Sequence, residues 1–328
     1  MSRDCTKKRG QLINELLSSE NLFGQKLDLI SVHFFQPMRN GQIVSCDEFQ
    51  IIFSNFADLH RAQKLFLDSL LAATDFLDRP SSYLSPAFQN LLLFHSVFEE
   101  YSDSFLDSSI LVYKLQSTLT RFRTFCLTVA RDPDSFGLEI QSLLAAPLHR
   151  FRQYKILLEQ IVLNTWEDLK DASDLSKFVP VLGNLAEKMK KHGKIAADFI
   201  DVLRVEDRFH KGNQLNFAVP GRKLIRSGKM KKLGSRLWTF FDSEVEVILF
   251  NDLLVYGKFS PRRFKLTLIE AIPLSPGFSV QILTDSARSP NHRIQTCIAG
   301  KTLEFYSQSV QEIQSWSHSF NVVLNRMS

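Results

Sequence analysis

The spacing of apolar residues changes once along the chain. From about residue 7 to residue 211, apolar side chains recur every three or four residues, which predicts amphipathic helices almost throughout. After that, short runs alternate between apolar and polar residues and are separated by Gly, Pro, Ser and Asn, which predicts strands. A final helix is predicted from one apolar face that contains Ile313, Trp316, Phe320 and Val323. The pattern therefore predicts two domains: an elongated all-α helical bundle at 1–212, then a small antiparallel β-domain closed by a helix at 213–328.

Proline, glycine and polar turns divide the helical region. The first helix is predicted to end before Pro37, and the second to begin at Cys46 or Asp47, because Asp is a favourable N-cap residue. The helices expected after the first are 46–71, 87–101, 106–126, 143–163 and one that starts after Asp174. The expected strands are KLIRSGKMKKL, SRLWTFF, EVEVILF, LLVYGK, RFKLTLI, FSVQIL, HRIQTCIA and TLEFYSQ.

The segment Leu143–Leu163 carries the most distinctive pattern. Its apolar positions define a helix with a proline, Pro147, in the first turn, where a missing N–H breaks no helical hydrogen bond. His149 and Gln153 lie one turn apart on another strip of the same helix. A bundle helix usually places Glu and Lys on such a strip. Hydrogen-bonding groups of little net charge instead predict a surface for a protein partner.

Composition narrows the function classes. The chain has 328 residues, of which 44% are hydrophobic and 23% charged, and this is typical of a globular protein. Its 40 basic and 35 acidic residues are too evenly balanced to predict nucleic-acid binding. The four cysteines show no CxxC spacing, which favours free thiols in a reducing compartment.

No segment predicts export, membrane insertion or covalent chemistry. The N-terminus lacks the apolar stretch of a secretory signal, and no apolar run reaches the ~18 residues of a membrane span. A cytoplasmic protein, or one peripheral to a membrane, is therefore expected. There is also no ExxH pair, no nucleophile with a base at useful spacing and no Gly-rich phosphate loop, so neither an enzyme of the bundle class nor a cofactor is expected.

Two stretches resemble the Dbl-homology (DH) domains of Rho guanine nucleotide exchange factors. ELLSSENLFGQKLDLISVHFFQPM (Glu15–Met38) is similar to the first shared region of that family. LLAAPLHRFRQYKILLEQI is similar to its most recognisable region, LIxPxQRxxxYPLLLxxL. The matching residues there are Pro147, Arg150, Tyr154, Leu157 and Leu158. They are expected to be structural, with Arg150 and Tyr154 tying this helix to its neighbours.

The resemblance implies an exchange factor that acts without covalent chemistry. Such proteins hold the two switch segments of a Rho-family GTPase and stabilise its nucleotide-free state, so that GDP leaves and GTP enters. Carried over by position, the family's contact residues fall on Glu20, His149, Gln153 and Lys190. Glu20 keeps the family carboxylate, which would hold switch I. The other three depart from the usual Gln, Lys or Arg, and Asn, respectively.

Partner choice in the family depends partly on the residue two positions before the motif proline, which is Ala145 here. Larger Leu or Ile side chains at this position pack against an aromatic residue of the GTPase. Alanine leaves room for a larger ring such as Trp, and this predicts a Rac-like partner.

The second domain resembles the pleckstrin-homology (PH) domain that usually follows a DH domain. VILFNDLLVYGK (Val247–Lys258) is similar to its LFNDLLLY strand pair, and Trp316 stands where its closing helix usually carries a Trp. The basic stretch 222–236 contains no acidic residue and predicts a contact with anionic membrane lipids. The candidate lipid-binding residues are Lys229, Lys231, Lys232 and Arg236.

Two functions from different classes remain open. The first is nucleotide exchange on a Rho-family GTPase, assisted or regulated by the PH domain. The second is a catalytically weak scaffold that binds a GTPase or a membrane without promoting exchange. The replacement of the family's Asn by Lys190 favours the second, because an ammonium group cannot accept a hydrogen bond.

Overall fold

The computed structural model describes residues 3–74, 81–133, 137, 139–166, 170–233, 243–275, 277–284, 292–298 and 301–325. The chain forms two compact units, Met1–Ala196 and Ala197–Ser328, which we call the helical unit and the strand unit. The division lies before the boundary predicted at residue 212. The reason is that Val202, Val205 and Phe209 are buried in one core with residues of the strands.

The helices alternate with short turns in the described part of the chain. They are α1 (Arg3–Leu29), α2 (Gln36–Gly41), α3 (Cys46–Phe53), α4 (Phe56–Ala73), α5 (Ser85–Leu93), α6 (His95–Thr118), α7 (Thr120–Arg131), α8 (Ile140–Leu144), α9 (Ala146–Leu163), α10 (Lys170–Asp207) and α11 (Val310–Leu324). A π-helical segment, Ile30–Phe35, joins α1 to α2, and a 3₁₀ turn spans Gly212–Gln214.

Several predicted helix boundaries were wrong. Pro37 does not end the first helix, because it lies in the first turn of α2, where its missing N–H breaks no hydrogen bond. α3 begins at Cys46, one of the two predicted positions, but its N-cap is Ser45, whose side chain forms a reciprocal capping box with Glu48. The expected helix 46–71 is interrupted at Ser54, which has a positive φ of 48°. Further breaks at Phe94 and Leu119 separate α5, α6 and α7.

The core of the helical unit is rich in phenylalanine. Four rings from the π-helical segment, α3 and α4 stack with centroids 4.9–6.2 Å apart; they are Phe35, Phe49, Phe53 and Phe56. One pair, Phe35 and Phe53, packs edge to face and the others are tilted, which suits rings that carry no hydroxyl group needing a hydrogen-bond partner. α1 and α9 run antiparallel, because Arg9 contacts Thr165 while Glu20 contacts Arg150.

The strand unit is one antiparallel sheet. Its described strands are β1 (Leu224–Lys232), β2 (Ser243–Phe250), β3 (Leu253–Ser260), β4 (Lys265–Pro273), β5 (Ser279–Thr284), β6 (His292–Ile298) and β7 (Lys301–Ser307), in the order β4-β3-β2-β1-β7-β6-β5. The expected strand SRLWTFF lies outside the described residues. Together with α11 at the C-terminus, this arrangement confirms the predicted fold class.

Alternation along the strands produces two buried faces. One face packs against α11, whose Trp316 is fully buried over Gly228, a residue that leaves room for the indole ring. The opposite face packs against the last turns of α10 and against Phe217. No helix within the described ranges is both long and apolar enough to cross a membrane.

Candidate functional site

One strip of α9 is exposed, while the face that carries the sequence motif is buried. His149, Arg152, Gln153 and Ile156 face solvent, and Ile156 is 46% exposed. The residues of the sequence motif lie on the other side and are buried; they are Pro147, Arg150, Tyr154, Leu157 and Leu158. α9 therefore combines a framework face with an open polar face that has an apolar residue at its centre.

Glu20 is not on the surface, so its placement as a partner contact must be revised. It has no exposed area, and its carboxylate lies between α1, α4 and α9. Arg150 donates to Oε2 from Nε at 3.1 Å and from Nη2 at 2.7 Å, while Gln63 donates to Oε1 at 2.9 Å. Since these donors surround the carboxylate, it has no free side for a protein partner.

Tyr154 completes this buried cluster of Glu20, Gln63, Arg150 and Tyr154, which we call the Glu20 cluster. Its hydroxyl donates to Glu20 Oε2 at 2.7 Å. Burial, followed by the nearby charge of Glu20, raises the pKa of Tyr154 well above its ordinary range, so the hydroxyl stays protonated and remains a donor. The Arg150 guanidinium also lies 4.4 Å from the centroid of the Tyr154 ring. The motif residues Arg150 and Tyr154 thus join α9 to α1.

The Glu20 cluster reaches the exposed strip through Arg150. Arg150 Nη1 donates to Gln153 Oε1 at 2.7 Å, and Nη2 donates to Ser19 Oγ at 3.1 Å. Because its oxygen accepts from Arg150, the amide NH₂ group of Gln153 is left on the exposed side of the helix. A hydrogen-bond donor of fixed orientation is therefore present where the family usually has Lys or Arg.

Glu15 is an exposed carboxylate on α1 that our sequence interpretation missed. It lies one helical turn before Ser19, which contacts Arg150, and so on the side of α1 that borders the α9 strip. The spacing of the apolar residues already predicted that position 15 is exposed and position 20 is buried. Position 20 lies on the buried face of α1 and position 15 does not. The buried apolar residues that define this face are Ile13, Leu16, Leu17, Phe23 and Leu27.

Ala145 and Lys190 lie at the end of the strip where α9 begins. Ala145 is half-buried between α8 and α9. Gly193 of α10 packs against Leu148, so the exposed Lys190 lies about one turn from this helix contact. Lys190 Nζ forms an ion pair with Glu187 at 3.2 Å. His149, Gln153 and Lys190 thus come from neighbouring helices, whereas Glu20 lies beneath them.

In the strand unit, three of the six described basic residues between positions 222 and 236 pair with carboxylates. Arg222 pairs with Asp252 at 2.8 Å, Lys223 with Asp198 at 3.3 Å, and Lys229 with Glu244 at 3.0 Å. Lys231 and Lys232 lie over the rings of Tyr306 and Tyr256. The remaining candidate, Arg236, lies outside the described residues.

The described residues contain no cluster of three His, Cys, Asp or Glu side chains suited to a metal ion. The α1–α9 face presents hydrogen-bonding, charged and apolar side chains.

Comparison with known proteins agrees with this architecture. The family model for the RhoGEF domain matches residues 12–190. A similar curated protein is guanine exchange factor for Rac 30 of Dictyostelium discoideum, 24% identical over 76% of this chain and 14% of that protein. Another is FYVE, RhoGEF and PH domain-containing protein 1 of Mus musculus, 24% identical over 95% of this chain and 32% of that protein. The chain thus spans less than a third of the length of these relatives.

Solved structures with the same fold include tandem DH/PH domains. Those of p115-RhoGEF superimpose with a TM-score of 0.68 at 17% identity, covering 99% of both chains. Those of PDZ-RhoGEF, solved in complex with human RhoA, give a TM-score of 0.64 at 16% identity over 99% of this chain and 96% of that one. At 16–17% identity, the similarity to these structures establishes the fold alone.

Proposed function

This chain belongs to the RhoGEF domain family, and we propose that it is a guanine nucleotide exchange factor for a Rho-family GTPase. The observation that carries the proposal is the exposed face shared by α1 and α9. Glu15 of α1 and His149, Gln153 and Ile156 of α9 are all exposed there. The buried Glu20 cluster holds this face in one arrangement before any partner binds, which reduces the entropy lost on binding.

Exchange follows from preferential binding of one GTPase state. A face that binds the nucleotide-free GTPase more tightly than the GDP-bound form shifts the equilibrium towards the empty state, and GTP then fills it. In this proposal the Glu15 carboxylate accepts hydrogen bonds from backbone amides or hydroxyls of switch I. Gln153 donates through its NH₂ group, and His149 can donate or accept.

Glu15 is the contact whose loss tests this proposal most directly. Glu15→Ala removes an exposed carboxylate without opening a cavity, so we expect a normal free energy of unfolding and a ten- to hundredfold slower release of fluorescent GDP. That range corresponds to one hydrogen bond with a charged group. Glu100→Ala, at an exposed acidic position on α6, is the matched control. Equal release rates for the two variants would contradict the assignment of Glu15.

A scaffold without exchange activity is the second candidate, and Lys190 favours it. This ammonium group stands where the family usually has an amide, and it pairs with Glu187 of its own helix. Gel filtration with nucleotide-free Rac, Cdc42 and Rho, together with GDP-release assays, separates the candidates. A complex that forms without faster GDP release supports the scaffold, whereas faster release supports the exchange factor.

We further propose that the GTPase is Rac-like, because the small, half-buried Ala145 leaves space for a bulky aromatic residue. The name of the Dictyostelium relative agrees with this choice. Ala145→Leu is expected to slow exchange on Rac about tenfold relative to exchange on Rho, as a change of a few methylene groups in an apolar contact does. The measurement is the ratio of GDP-release rates across a Rac, Cdc42 and Rho panel. An unchanged ratio would contradict the Rac assignment.

For the strand unit, we propose peripheral contact of a cytoplasmic protein with anionic lipids. Lys231 and Lys232 remain candidates, since their ammonium groups lie over tyrosine rings and form no ion pair with a carboxylate among the described residues. Two or three cations of this kind would give weak and reversible attachment. The attachment would concentrate the chain at the membrane surface.

A further inference from the structure

We propose that the β3–β4 hairpin, residues 258–265, is the membrane-contacting element of the strand unit and inserts Phe264 into the interface of an anionic bilayer. This inference rests on the proposed lipid contact and gives it a different location from the β1 residues considered above. It is independent of whether the α1–α9 face promotes exchange.

The hairpin carries a concentrated positive charge. Lys258, Arg262, Arg263 and Lys265 are all exposed, and the sequence contains no Asp or Glu between Leu253 and Ile269. Within the ranges the structure covers, none of these four cations has a carboxylate partner, in contrast to the paired residues Arg222, Lys223 and Lys229. Cations without partners are the ones free to attract an anionic surface.

An aromatic side chain projects from the centre of this charge. Phe264 is 84% exposed, more than any other large apolar residue of the described structure, and Phe259 on the facing strand is 53% exposed. Phe264 also has a positive φ of 51°, a conformation unfavourable for a bulky residue. An aromatic ring surrounded by cations matches the apolar and anionic layers of a lipid interface.

The base of the hairpin is fixed, which distinguishes its tip from a freely moving loop. Leu266 is buried, and its backbone exchanges hydrogen bonds of 2.8 Å with Arg208 and His210. Gly257 lies so close to Thr267 and Phe209 that an added Cβ would approach them to 2.8 and 2.9 Å. At the tip, Arg263 N donates to Ser260 O at 3.1 Å and closes a turn. The strands therefore hold Phe264 outward in a defined position.

The location is also consistent with the register of the sheet. β3 ends at Ser260 at the same end of the sheet where β2 begins, because Glu246 pairs with Gly257 in an antiparallel ladder. β1 reaches that end at Lys232, which pairs with Ser243. Lys231 and Lys232 are thus at the same end of the sheet as the hairpin and can add to its positive charge.

Vesicle co-sedimentation of the full chain tests the proposal. Phosphatidylcholine vesicles with and without phosphatidylserine are the probes, and binding is expected only when phosphatidylserine is present. Arg262→Gln with Arg263→Gln should weaken binding about thirtyfold, and Phe264→Ser about tenfold. The matched controls lie on α7: Arg121→Gln with Arg131→Gln, and Leu127→Ser, where Leu127 is 51% exposed. These controls should bind like the parent chain.

A second measurement locates the ring directly. In a Phe264→Trp variant, anionic vesicles that contain brominated lipid should quench the added indole fluorescence beyond that of the parent chain. Absence of this quenching, or equal binding by the hairpin and α7 variants, would overturn the proposal. So would slower GDP release by Phe264→Ser in solution without vesicles, because the hairpin would then contact the GTPase. Failure of exchange in the parent chain, by contrast, bears only on the proposed function.

Discussion

Replacing Glu20 by alanine is expected to destabilise the helical unit by about 3–5 kcal/mol, because the change leaves the Arg150 guanidinium buried without its counter-charge. Arg150 is 2% exposed and donates twice to this carboxylate. Tyr154 and Gln63 would lose the same acceptor. Urea unfolding followed by circular dichroism measures the effect as a lower transition midpoint.

Two comparisons separate this structural effect from a lost contact with a partner. Glu15→Ala should change the free energy of unfolding by no more than about 0.5 kcal/mol, as expected at an exposed position. Combining Glu20→Gln with Arg150→Met removes both charges. The loss of unfolding free energy in this double variant should be smaller, by about 1–3 kcal/mol, than the sum of the losses in the two single variants. Additive single effects, or a Glu20→Ala variant as stable as Glu15→Ala, would show that the buried pair does not form.

Glu20→Ala should also slow nucleotide exchange, but for an indirect reason. Without Glu20, Arg150 has no anchor, and Gln153 loses the donor that orients its amide. Exchange and stability should therefore fall together in this variant, whereas Glu15→Ala should lower exchange alone. Comparing exchange and stability in the two variants therefore distinguishes a residue that positions the binding face from one that contacts the GTPase.

Replacing Asp171 by alanine is expected to cost a similar 3–5 kcal/mol, again because a buried charge loses its partner. Asp171 accepts from Arg9 Nη2 at 2.6 Å, from the backbone N of Leu84 and Ser85 at 3.1 and 2.9 Å, and from Ser85 Oγ at 2.6 Å. Arg9 and Asp171 are 2% and 3% exposed. One carboxylate thus joins the first helix, the start of α5 and the start of α10.

The control for this prediction is an ion pair at the surface. Asp201 and Arg204 pair at 2.9 Å along α10, but both are about half exposed. Asp201→Ala should therefore change the free energy of unfolding by less than about 1 kcal/mol. Urea titrations of both variants provide the comparison. If Asp171→Ala were no more destabilised than Asp201→Ala, the buried network would contribute no more than a surface pair.

Helix and strand periodicity in the sequence predicted the fold class, because burying one face of each element requires a regular apolar spacing. The breaks at Ser54, Phe94 and Leu119 were missed. The apolar spacing continues across them, and only the packing of neighbouring helices requires the chain to turn there. The position of Ser45 as N-cap illustrates the same limit, since several adjacent residues had suitable side chains.

The candidate site was predicted in part. The exposed strip of α9, with His149 and Gln153, followed from the motif and from its low charge. Glu20 was assigned to the surface because it matches a contact residue of the family motif. The helical spacing of α1 instead places it on the same face as the buried Leu16, Leu17 and Phe23. The β3–β4 hairpin was overlooked because the longer basic stretch at residues 222–236 has more charges, three of which proved to be paired with carboxylates.

By itself, the sequence determined that a helical region precedes a region of strands, where the apolar period changes, and that the chain resembles the DH and PH domains. The tertiary structure alone decided which charges are satisfied. Ion pairing depends on distances between residues that are far apart in the chain, such as Arg150 with Glu20 or Arg222 with Asp252. Local patterns contain no information on those distances. The distances nevertheless decide whether a carboxylate supports the binding face from within or is free to bind a partner.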